Sequence, residues 1–319
     1  MSLAFEQLQE LIWSFRQSRV VLSAIELDVF SKIASGATAA EVGAKIGTDP
    51  RATEMLLNAL VNLELLTKTD SKYFNAEVAS RYLSGDARMS VMHQVGLWNR
   101  WSSLTQCVKT GTAVLPSERS ESDTEAFIAA MHRNASERAV HVVESVEASR
   151  FRKMLDLGGG SGAYSIAFAQ ANPELHVTIF DRAEVLKIAS RHVANAGLAN
   201  RIGTHPGDML VDSLPSGNDF ILLSQILHAF GVDENRQLLK RAYAALNPGG
   251  QIAIQEFLLD PERTSPRWAV LFSLNMLVGT PSGSSYTEAE IRSWLEKAGF
   301  RNVRHVPLPP NTNLIVAEK

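Results

Sequence analysis

A glycine-rich turn after an apolar stretch is the clearest chemical feature of this sequence. Residues 154–162 read Met-Leu-Asp-Leu-Gly-Gly-Gly-Ser-Gly, the pattern of a buried strand that runs into a turn and then a helix. Glycine has no Cβ, so such a turn can bend tightly and lie against a ligand, with free helix N–H groups beyond it. Asp181 ends the next apolar run, where doubly wound folds place a carboxylate that binds a ribose. Together these features predict a cofactor that contains a nucleoside.

A second group of candidate residues follows two later apolar runs. His228 comes after residues 220–227, and Glu256 lies at the end of residues 251–257. Ligands of open α/β sheets bind at the carboxyl ends of the strands, so we expect both side chains at the edge that carries the glycine turn. A neutral imidazole can take a proton, and a carboxylate beside it can fix its tautomer. The alternative for each residue is a polar side chain at a strand end without a catalytic role.

The elements that must position these residues alternate between strands and helices from residue 151 onward, which is typical of a parallel α/β sheet. The apolar runs predict strands at residues 153–157, 176–180, 202–205, 220–225 and 251–257. After a helix at residues 288–298, two further strands are predicted at 303–308 and 314–317. A Pro-Pro-Asn turn separates them, so we expect an antiparallel hairpin at the end of the sheet.

The first part of the chain has a different pattern, and a length of 319 residues favours two domains. Residues 1–85 predict short helices, with a capping box at Thr38–Glu41 and Gly47 at the end of that helix. Asp49-Pro50 predicts the start of the next helix. Two extended pieces within residues 68–74 resemble the wing of a winged-helix domain, and residues 88–150 are again helical. We therefore expect one domain at residues 1–100 and a second at 101–319.

The glycine pattern Gly158-x-Gly160-x-x-Ala163 also fits a dinucleotide fingerprint, which alone is a weak signal. Three features favour a different cofactor. Asp156 stands inside the strand before the turn, a second acid follows the third strand as Asp208-Met209, and the sheet ends in a hairpin rather than another parallel unit. Asp208 and Met209 could also be a loop acid and a core methionine.

The order of motifs carries a resemblance to a known family. The motifs concerned are Asp156–Gly162 with three glycines in a row, Phe180-Asp181, Gly207-Asp208-Met209, Ile226-Leu227-His228, Pro248-Gly249-Gly250, Glu256, residues 273–277 (Ser-Leu-Asn-Met-Leu) and Ala298-Gly299-Phe300. With these motifs and the winged-helix outline, the chain resembles the class I S-adenosylmethionine (SAM) methyltransferases. It is most similar to the O-methyltransferase group that includes the caffeate and acetylserotonin enzymes, over nearly the whole chain.

The resemblance implies a fold class and a set of site residues. The fold would be α/β, with a Rossmann-like, mostly parallel sheet that ends in an antiparallel hairpin and with an all-helical winged-helix domain in front. The cofactor would be SAM, with Asp181 on the ribose hydroxyls, Asp208 on the adenine amino group and Met209 over the ring. The full set of implied cofactor-binding residues is Asp156, Gly158, Gly160, Asp181, Arg182, Asp208, Met209, Ser224 and Gln225.

The same resemblance implies a reaction. A methyl group would be transferred to a hydroxyl of a small aromatic molecule, with His228 as general base and Glu256 as its partner. Phe127, Met131 and Met276 match positions that line the acceptor pocket in relatives, and the alternative is that they are core residues, as Phe and Met at helical spacing often are. The front domain would form an intertwined homodimer.

Three departures from the family pattern keep other activities open. His228 is followed by Ala229-Phe230 where many relatives have Asp-Trp. Ser224 and Gln225 stand where several relatives have a Lys or Arg, and Ser285-Tyr286-Thr287 stands where an acid and an Arg-Thr pair are common. A carbon or nitrogen acceptor, or a SAM-binding homologue that transfers no methyl group, therefore remains an alternative.

Charge and composition bear on partners and location. The net charge is -3, and residues 1–87 hold 8 Lys and Arg against 11 Asp and Glu, the wrong sign for a phosphate-binding surface. The third helix of the front domain is mostly apolar, so we expect a homodimer rather than the alternative of a DNA-binding regulator. No apolar run approaches the roughly 18 residues of a membrane span, and the first residues do not resemble a signal peptide.

The remaining chemistry-bearing residues suggest no further cofactor. The single cysteine, Cys107, fits a reducing cytoplasm, and the histidines lack metal-ligand spacing, so we expect a metal-independent reaction. No Lys or Arg stands at a position that predicts an acceptor with a carboxylate.

Overall fold

The chain folds into two units, Met1–Asn99 and Arg100–Lys319. The computed structural model describes residues 3–116, 120–309 and 311–319. The predicted Pro-Pro-Asn turn includes Pro310, which lies outside the described residues.

The front unit consists of short helices and a small sheet. Its helices are α1 (Phe5–Trp13), α2 (Phe15–Glu26), α3 (Val29–Ile33), α4 (Ala39–Ile46), α5 (Pro50–Asn62) and α6 (Glu77–Tyr82), and α7 (Met89–Ser102) begins in this unit. Its strands are β1 (Ala37–Thr38), β2 (Leu66–Thr69) and β3 (Lys72–Asn75), in the order β1-β3-β2. The β2–β3 hairpin occupies the position predicted for the wing, and β1 adds a third strand, so the unit is not purely helical.

The local sequence explains where these helices begin and end. At the start of α4, the Thr38 side chain accepts a hydrogen bond from the Glu41 N–H, and the Glu41 carboxylate accepts one from the Thr38 N–H at 2.8 Å. Gly47 ends this helix with a φ of 68°. Asp49 caps α5 through the Ala52 N–H at 2.8 Å, with Pro50 as the first helical residue. The predicted helix boundaries are therefore confirmed.

The second unit alternates strands and helices. After α8 (Leu104–Thr110) and the long α9 (Glu121–Ser145), its elements are β4 (Lys153–Leu157), α10 (Ala163–Ala171), β5 (His176–Asp181), α11 (Ala183–Asn195), β6 (Ile202–Pro206), β7 (Asn218–Ser224), α12 (Val232–Ala245), β8 (Leu246–Glu256), α13 (Arg267–Gly279), α14 (Glu288–Ala298), β9 (Arg301–Leu308) and β10 (Thr312–Glu318). A short 3-10 turn, Leu227–Ala229, carries His228.

These strands form a seven-stranded sheet in the order β6-β5-β4-β7-β8-β10-β9. The pairs among β4, β5, β6, β7 and β8 are parallel, whereas β10 is antiparallel to β8 and to β9. The predicted parallel sheet with a final antiparallel hairpin is confirmed. The chain moves outward from β4 to β6 and then returns to place β7 on the other side of β4. Ligand crevices of open α/β sheets lie at such switch points, beyond the carboxyl ends of the strands.

Two apolar clusters cover the two faces of this sheet. One cluster joins the strands to α9, α10 and α11, and includes Phe168, Leu186 and Val142. The other joins them to α12 and α14, and includes Leu238 and Ile291. Because both faces are buried, the central strands are continuous apolar runs rather than alternating ones. Within the described ranges, no helix is long and apolar enough to cross a membrane.

Candidate active site

The glycine turn after β4 has one crowded and one open position. Gly158 has a φ of 76°, donates its N–H to the Phe180 carbonyl at 2.8 Å, and has no space for a side chain, since a Cβ there would lie 2.3 Å from Ile226 Cδ1. Gly160 has a φ of 56°, but a Cβ there would meet no atom within 4 Å. The turn is therefore packed against the end of β7 on one side and open at Gly160 on the other, which lets a ligand approach the backbone.

The Asp181 side chain is hydrogen-bonded to the backbone at this open position. Its carboxylate accepts hydrogen bonds from the Gly160 N–H at 2.9 Å and from the Arg182 N–H at 2.7 Å. Burial raises the pKa of Asp181, and the two backbone donors work against that rise. The Arg182 side chain is 61% exposed and pairs with Glu184 at 3.3 Å. Arg182 thus contributes its backbone N–H to the arrangement, and a contact between its side chain and a cofactor stays a prediction.

Asp156 lies beneath the turn rather than on its open side. The residue is 1% exposed, and its carboxylate accepts a hydrogen bond from the Ser165 hydroxyl at 2.6 Å. A Cβ on Gly159 would lie 2.7 Å from Asp156 Cγ, so the carboxylate directly supports the turn. Burial raises the pKa of Asp156 to about 6. Its predicted contact with the cofactor remains a prediction, because the structure shows it bonded within the protein.

Asp208 and Met209 follow β6 and lie on the rim of the same crevice. The Asp208 carboxylate accepts a hydrogen bond from the Leu210 N–H at 2.8 Å through Oδ1, and the residue is exposed. Met209 is half-buried, and its Cε would lie 3.1 Å from a Cβ on Gly158. The structure therefore brings Met209 to the glycine turn, with Asp208 beside it.

The ends of β7 and β8 are joined by the buried Gln255. Its side-chain oxygen accepts hydrogen bonds from Ser224 Oγ at 2.8 Å and from the Tyr164 hydroxyl. Its carbonyl accepts one from the Gln225 N–H at 2.9 Å. Gln225 has left the strand with a φ of 58°, so the predicted strand ends one residue earlier, at Ser224. Ser224 and Gln225 thus begin the segment that leads to His228.

His228 and Glu256 form a close pair at this edge of the sheet. His228 Nδ1 lies 2.8 Å from Glu256 Oε2, and the His228 backbone N–H donates to Glu256 Oε1 at 3.3 Å. Only 12% of the His228 side chain and 4% of the Glu256 side chain are exposed. Since a carboxylate accepts, Nδ1 carries the hydrogen in a neutral ring, and Nε2 is left as the basic atom. Chemically, the pair can accept a proton at Nε2.

A loop between α13 and α14 holds the His228 segment from the other side. A Cβ on Gly283 would lie 2.3 Å from the His228 carbonyl oxygen, so the loop backbone lies directly against the 3-10 turn. The buried Tyr286 donates its hydroxyl to the Phe230 carbonyl. The sequence singled out Tyr286 only as a departure from the family pattern, and no local signal indicated its partner 56 residues away.

The predicted acceptor residues lie on α9 and α13. Met276 is buried on α13, and on the same helix the Phe272 ring meets the His228 ring edge-on, with centroids 4.8 Å apart. Phe127 and Met131 are half-buried on α9, the helix that packs on α10. A contact of Phe127, Met131 or Met276 with an acceptor stays a prediction.

The next residue on α9 contacts the glycine turn itself. His132 Nδ1 lies 2.9 Å from the hydroxyl of the buried Ser161, and the His132 ring stacks on His192 with centroids 4.0 Å apart. Burial, followed by the nearby charge of His192, lowers the pKa of His132. Sequence reasoning missed this contact, because α9 and the turn are joined only by tertiary packing.

The donor set fits an adenosyl cofactor better than a dinucleotide. The crevice offers a carboxylate at the turn, a thioether at its rim and an open glycine, features suited to a ribose, a flat base and a close backbone approach. Beyond it stands the His228–Glu256 pair, which can deprotonate a nucleophile. Fold and site together define a methyltransferase of the class I, SAM-binding type. Among the described residues, no group of three or more His, Cys, Asp or Glu side chains is arranged to bind a metal ion.

Comparison with known proteins identifies the family. Residues 109–301 match the model of the O-methyltransferase domain, and residues 9–85 match the O-methyltransferase dimerisation domain. The chain therefore belongs to the O-methyltransferase family and is a SAM-dependent O-methyltransferase.

Individual relatives cover nearly the whole chain. A 3-hydroxy-5-methyl-1-naphthoate 3-O-methyltransferase of Streptomyces sahachiroi is 34% identical over 97% of this chain and 94% of its own length. The acetylserotonin O-methyltransferase of Bos taurus is 34% identical over 94% of this chain and 93% of its own. The crystal structure of human N-acetylserotonin methyltransferase in complex with SAM has a TM-score of 0.88 and 30% identity, over 100% of this chain and 98% of that one.

Proposed function

We propose that this enzyme transfers the methyl group of SAM to a hydroxyl of a small aromatic molecule, with His228 as the general base. The observation that carries the proposal is the 2.8 Å contact between His228 Nδ1 and Glu256 Oε2, at the sheet edge that also bears the glycine turn. The relatives named for a naphthoate and for acetylserotonin act on aromatic acceptors, which supports the same class here.

In this proposal, different residues of the crevice bind different parts of the cofactor. Asp181 binds the ribose, Asp208 receives the adenine amino group, and Met209 covers the ring with its thioether. Gly158 and Gly160 let the backbone approach, with Asp156 supporting the turn from below. Ser224 and Gln225 stand near the methionyl end, held by Gln255.

Two residues of the chain, His228 and Glu256, handle the proton that the acceptor hydroxyl loses. When bound, SAM supplies a methyl group on a sulfonium, whose departure leaves a neutral thioether. The acceptor hydroxyl gives its proton to His228 Nε2 while its oxygen forms the new bond to carbon. Glu256 holds Nδ1–H and stabilises the imidazolium that results, and the proton then leaves to water. A phenol titrates near pH ~10, so a positioned base contributes a factor on the order of 10²–10⁴ to the rate.

The front domain, residues 1–100, serves in this proposal as a winged-helix dimerisation domain, and residues 101–319 form the catalytic domain. The match of residues 9–85 to a dimerisation domain supports a homodimer. On α1, the apolar side chains of Phe5, Leu8, Leu11, Ile12 and Trp13 are between 42% and 67% exposed, a surface that a second copy would cover. The acidic balance of this domain argues against nucleic acid, and the composition fits a cytoplasmic enzyme without a membrane partner.

Product analysis tests the proposal. Purified enzyme is incubated with methyl-labelled SAM and a panel of phenols, anilines and activated carbon acids, and the products are identified by mass spectrometry and NMR. We expect label on a phenolic oxygen. Label on carbon or nitrogen alone, or tight SAM binding without transfer to any acceptor, would overturn the assignment of O-methylation. Light scattering measures the molar mass in solution and so tests the homodimer. A gel shift at low salt tests the alternative, a DNA-binding regulator.

A further inference from the structure

A half-buried arginine lies on the face of α9 that bears the predicted acceptor residues. Phe127, Met131 and Arg138 are spaced four and seven residues apart, which places them on one stripe of the helix. At 1.5 Å per residue, Arg138 is about 10 Å along the helix axis from Met131. Its guanidinium carbon lies 5.6 Å from the centroid of the Phe257 ring, just beyond Glu256. A residue distant in sequence thus brings a positive charge to the carboxyl end of β8.

This positive charge has no counterion within the part of the chain that the structure describes. Arg133, on the same helix, pairs with Glu137 at 3.8 Å, whereas no acidic side chain among the described residues forms an ion pair with Arg138. Arginine in partly desolvated surroundings is normally paired, because burying an uncompensated charge is unfavourable. Its planar fork of N–H donors matches the two oxygens of a carboxylate.

Aromatic rings connect Arg138 to the proposed base. The Phe257 and Phe272 rings meet at a centroid distance of 4.9 Å, and Phe272 meets His228 at 4.8 Å. Phe257 and Phe272 therefore form a continuous series of ring contacts between Arg138 and His228, which we call the aromatic wall. A flat acceptor that lies along this wall with its hydroxyl at His228 presents its far end to the guanidinium.

We propose that Arg138 binds a carboxylate of the acceptor, so that the preferred substrates are hydroxylated aromatic carboxylates. This inference rests on the proposed function, since it takes the His228 edge as the site of methyl acceptance. It differs from the expectation that no Lys or Arg stands at a position that predicts an acceptor with a carboxylate. The methionyl carboxylate of SAM is the other possible source of such an anion, and the experiment separates the two.

The test compares two fluorescent probes that differ by one group. Binding of 6-hydroxy-2-naphthoate and of 2-naphthol to the enzyme saturated with S-adenosylhomocysteine (SAH) is measured by fluorescence titration. A charge-assisted hydrogen-bonded pair corresponds to a factor of about 10 to 100 in affinity. We expect the wild type to prefer the naphthoate by such a factor. Arg138→Gln should weaken naphthoate binding by the same factor and change naphthol binding less than about twofold.

Matched variants control for charge and folding. Arg138→Lys should keep part of the preference, because it retains the charge but not the fork. Arg133→Gln removes an arginine from the same helix and should leave both affinities unchanged. Thermal unfolding followed by circular dichroism shows whether each variant is folded.

Several outcomes overturn the inference. Equal binding of both probes by the wild type, or binding of neither, would do so. Calorimetry of SAH binding, without a probe, tests whether Arg138 binds the cofactor. A tenfold loss of SAH affinity in Arg138→Gln, with no change in the preference between the two probes, would show that Arg138 binds the methionyl carboxylate instead of the acceptor. If the naphthoate binds through Arg138 but is never methylated, the proposed transfer fails while the carboxylate site stands.

Discussion

A Cβ on Gly283 would lie 2.3 Å from the carbonyl oxygen of His228. The loop after α13 therefore fixes the position of the 3-10 turn that carries the proposed base. Only glycine fits at position 283, because any side chain there would overlap this turn. We predict that Gly283→Ala displaces this turn, because overpacking against backbone costs typically 1–3 kcal/mol. Turnover should fall about tenfold, measured by steady-state kinetics at saturating SAM.

Gly279 provides the control for this substitution. A Cβ at Gly279 would meet no atom within 4 Å, so Gly279→Ala should keep wild-type turnover. Equal behaviour of the two variants would show that the close approach of Gly283 to His228 has no functional consequence.

The Tyr286 hydroxyl should contribute stability through its bond to the Phe230 carbonyl. Burial, with a smaller effect from Glu290, raises the pKa of Tyr286 to about 12, so the phenol remains a donor at working pH. Its contribution should be constant below pH 10 and lost only as the pH rises through 12. Tyr286→Phe should lower the free energy of unfolding in urea by about 1–2 kcal/mol, at pH 7 and pH 9 alike.

Tyr243→Phe is the comparison for this measurement. The Tyr243 ring packs edge-on against Phe300, and its hydroxyl has no hydrogen-bond partner among the described residues. A Tyr286→Phe variant that is as stable as Tyr243→Phe would argue against a structural role for the Tyr286 hydroxyl.

Asp156 should make the wild type less stable as the pH rises. Its pKa is raised by burial from 3.8 to about 6, so the protonated form is favoured in the fold, and that advantage is lost as the pH rises through about 6. A rise of this size in the pKa corresponds to about 3 kcal/mol of folding free energy between the protonated and the ionised carboxyl. Asp156→Asn should therefore gain stability relative to the wild type as the pH rises from about 4 to about 6, and the difference should then stay constant up to about pH 8 in urea titrations. A stability difference that stays constant between about pH 4 and about pH 6 would show that burial does not raise the pKa of Asp156.

His132 should link cofactor affinity to pH through Ser161. Burial and His192 lower the pKa of His132, so the ring stays neutral in the fold until the pH falls through that lowered pKa, below the ordinary value near ~6.5, and protonation then adds a positive charge beside the glycine turn. The charges that face this pair are His192 itself and Arg191, which pairs with Glu125. We predict that SAH affinity of the wild type, measured by calorimetry, falls about 3- to 10-fold from pH 7.5 to 5.5.

Substitutions on the same helix separate this effect from general acid instability. His132→Gln keeps a hydrogen-bonding side chain but does not titrate, so its SAH affinity should vary less with pH. His141→Gln alters an exposed histidine of α9 and should retain the wild-type pH dependence. An unchanged pH dependence in His132→Gln would rule out the linkage.

The sheet and the order of its site residues could be predicted from the sequence, because each depends on local patterns. The apolar run that contains Asp156 and the runs that end in Asp181 and Ser224 are strands whose length and burial follow from their composition. Parallel connectivity then brings their ends to one edge, and with them the segment of His228.

The positions fixed by distant packing could not be predicted in this way. Arg138, Gly283 and Tyr286 act through partners on other elements, and neither their spacing nor their type indicates those partners. The burial of a side chain also cannot be predicted from a single sequence. Asp156 stands in a motif that suggests contact with a ligand, yet its carboxylate accepts a hydrogen bond from Ser165 below the turn.

Turnover by a His228→Asn variant tests the central claim most directly. The Asn amide can still donate to Glu256, as Nδ1 does at 2.8 Å, but it offers no basic atom in place of Nε2. We predict a fall in turnover number of about 10²–10⁴ on a phenol acceptor, with SAH affinity within about threefold of the wild type. His305→Asn, on β9 and bonded to Asn313, should match the wild type in both measurements. A His228→Asn enzyme that transfers methyl groups at the wild-type rate would show that His228 is not the base.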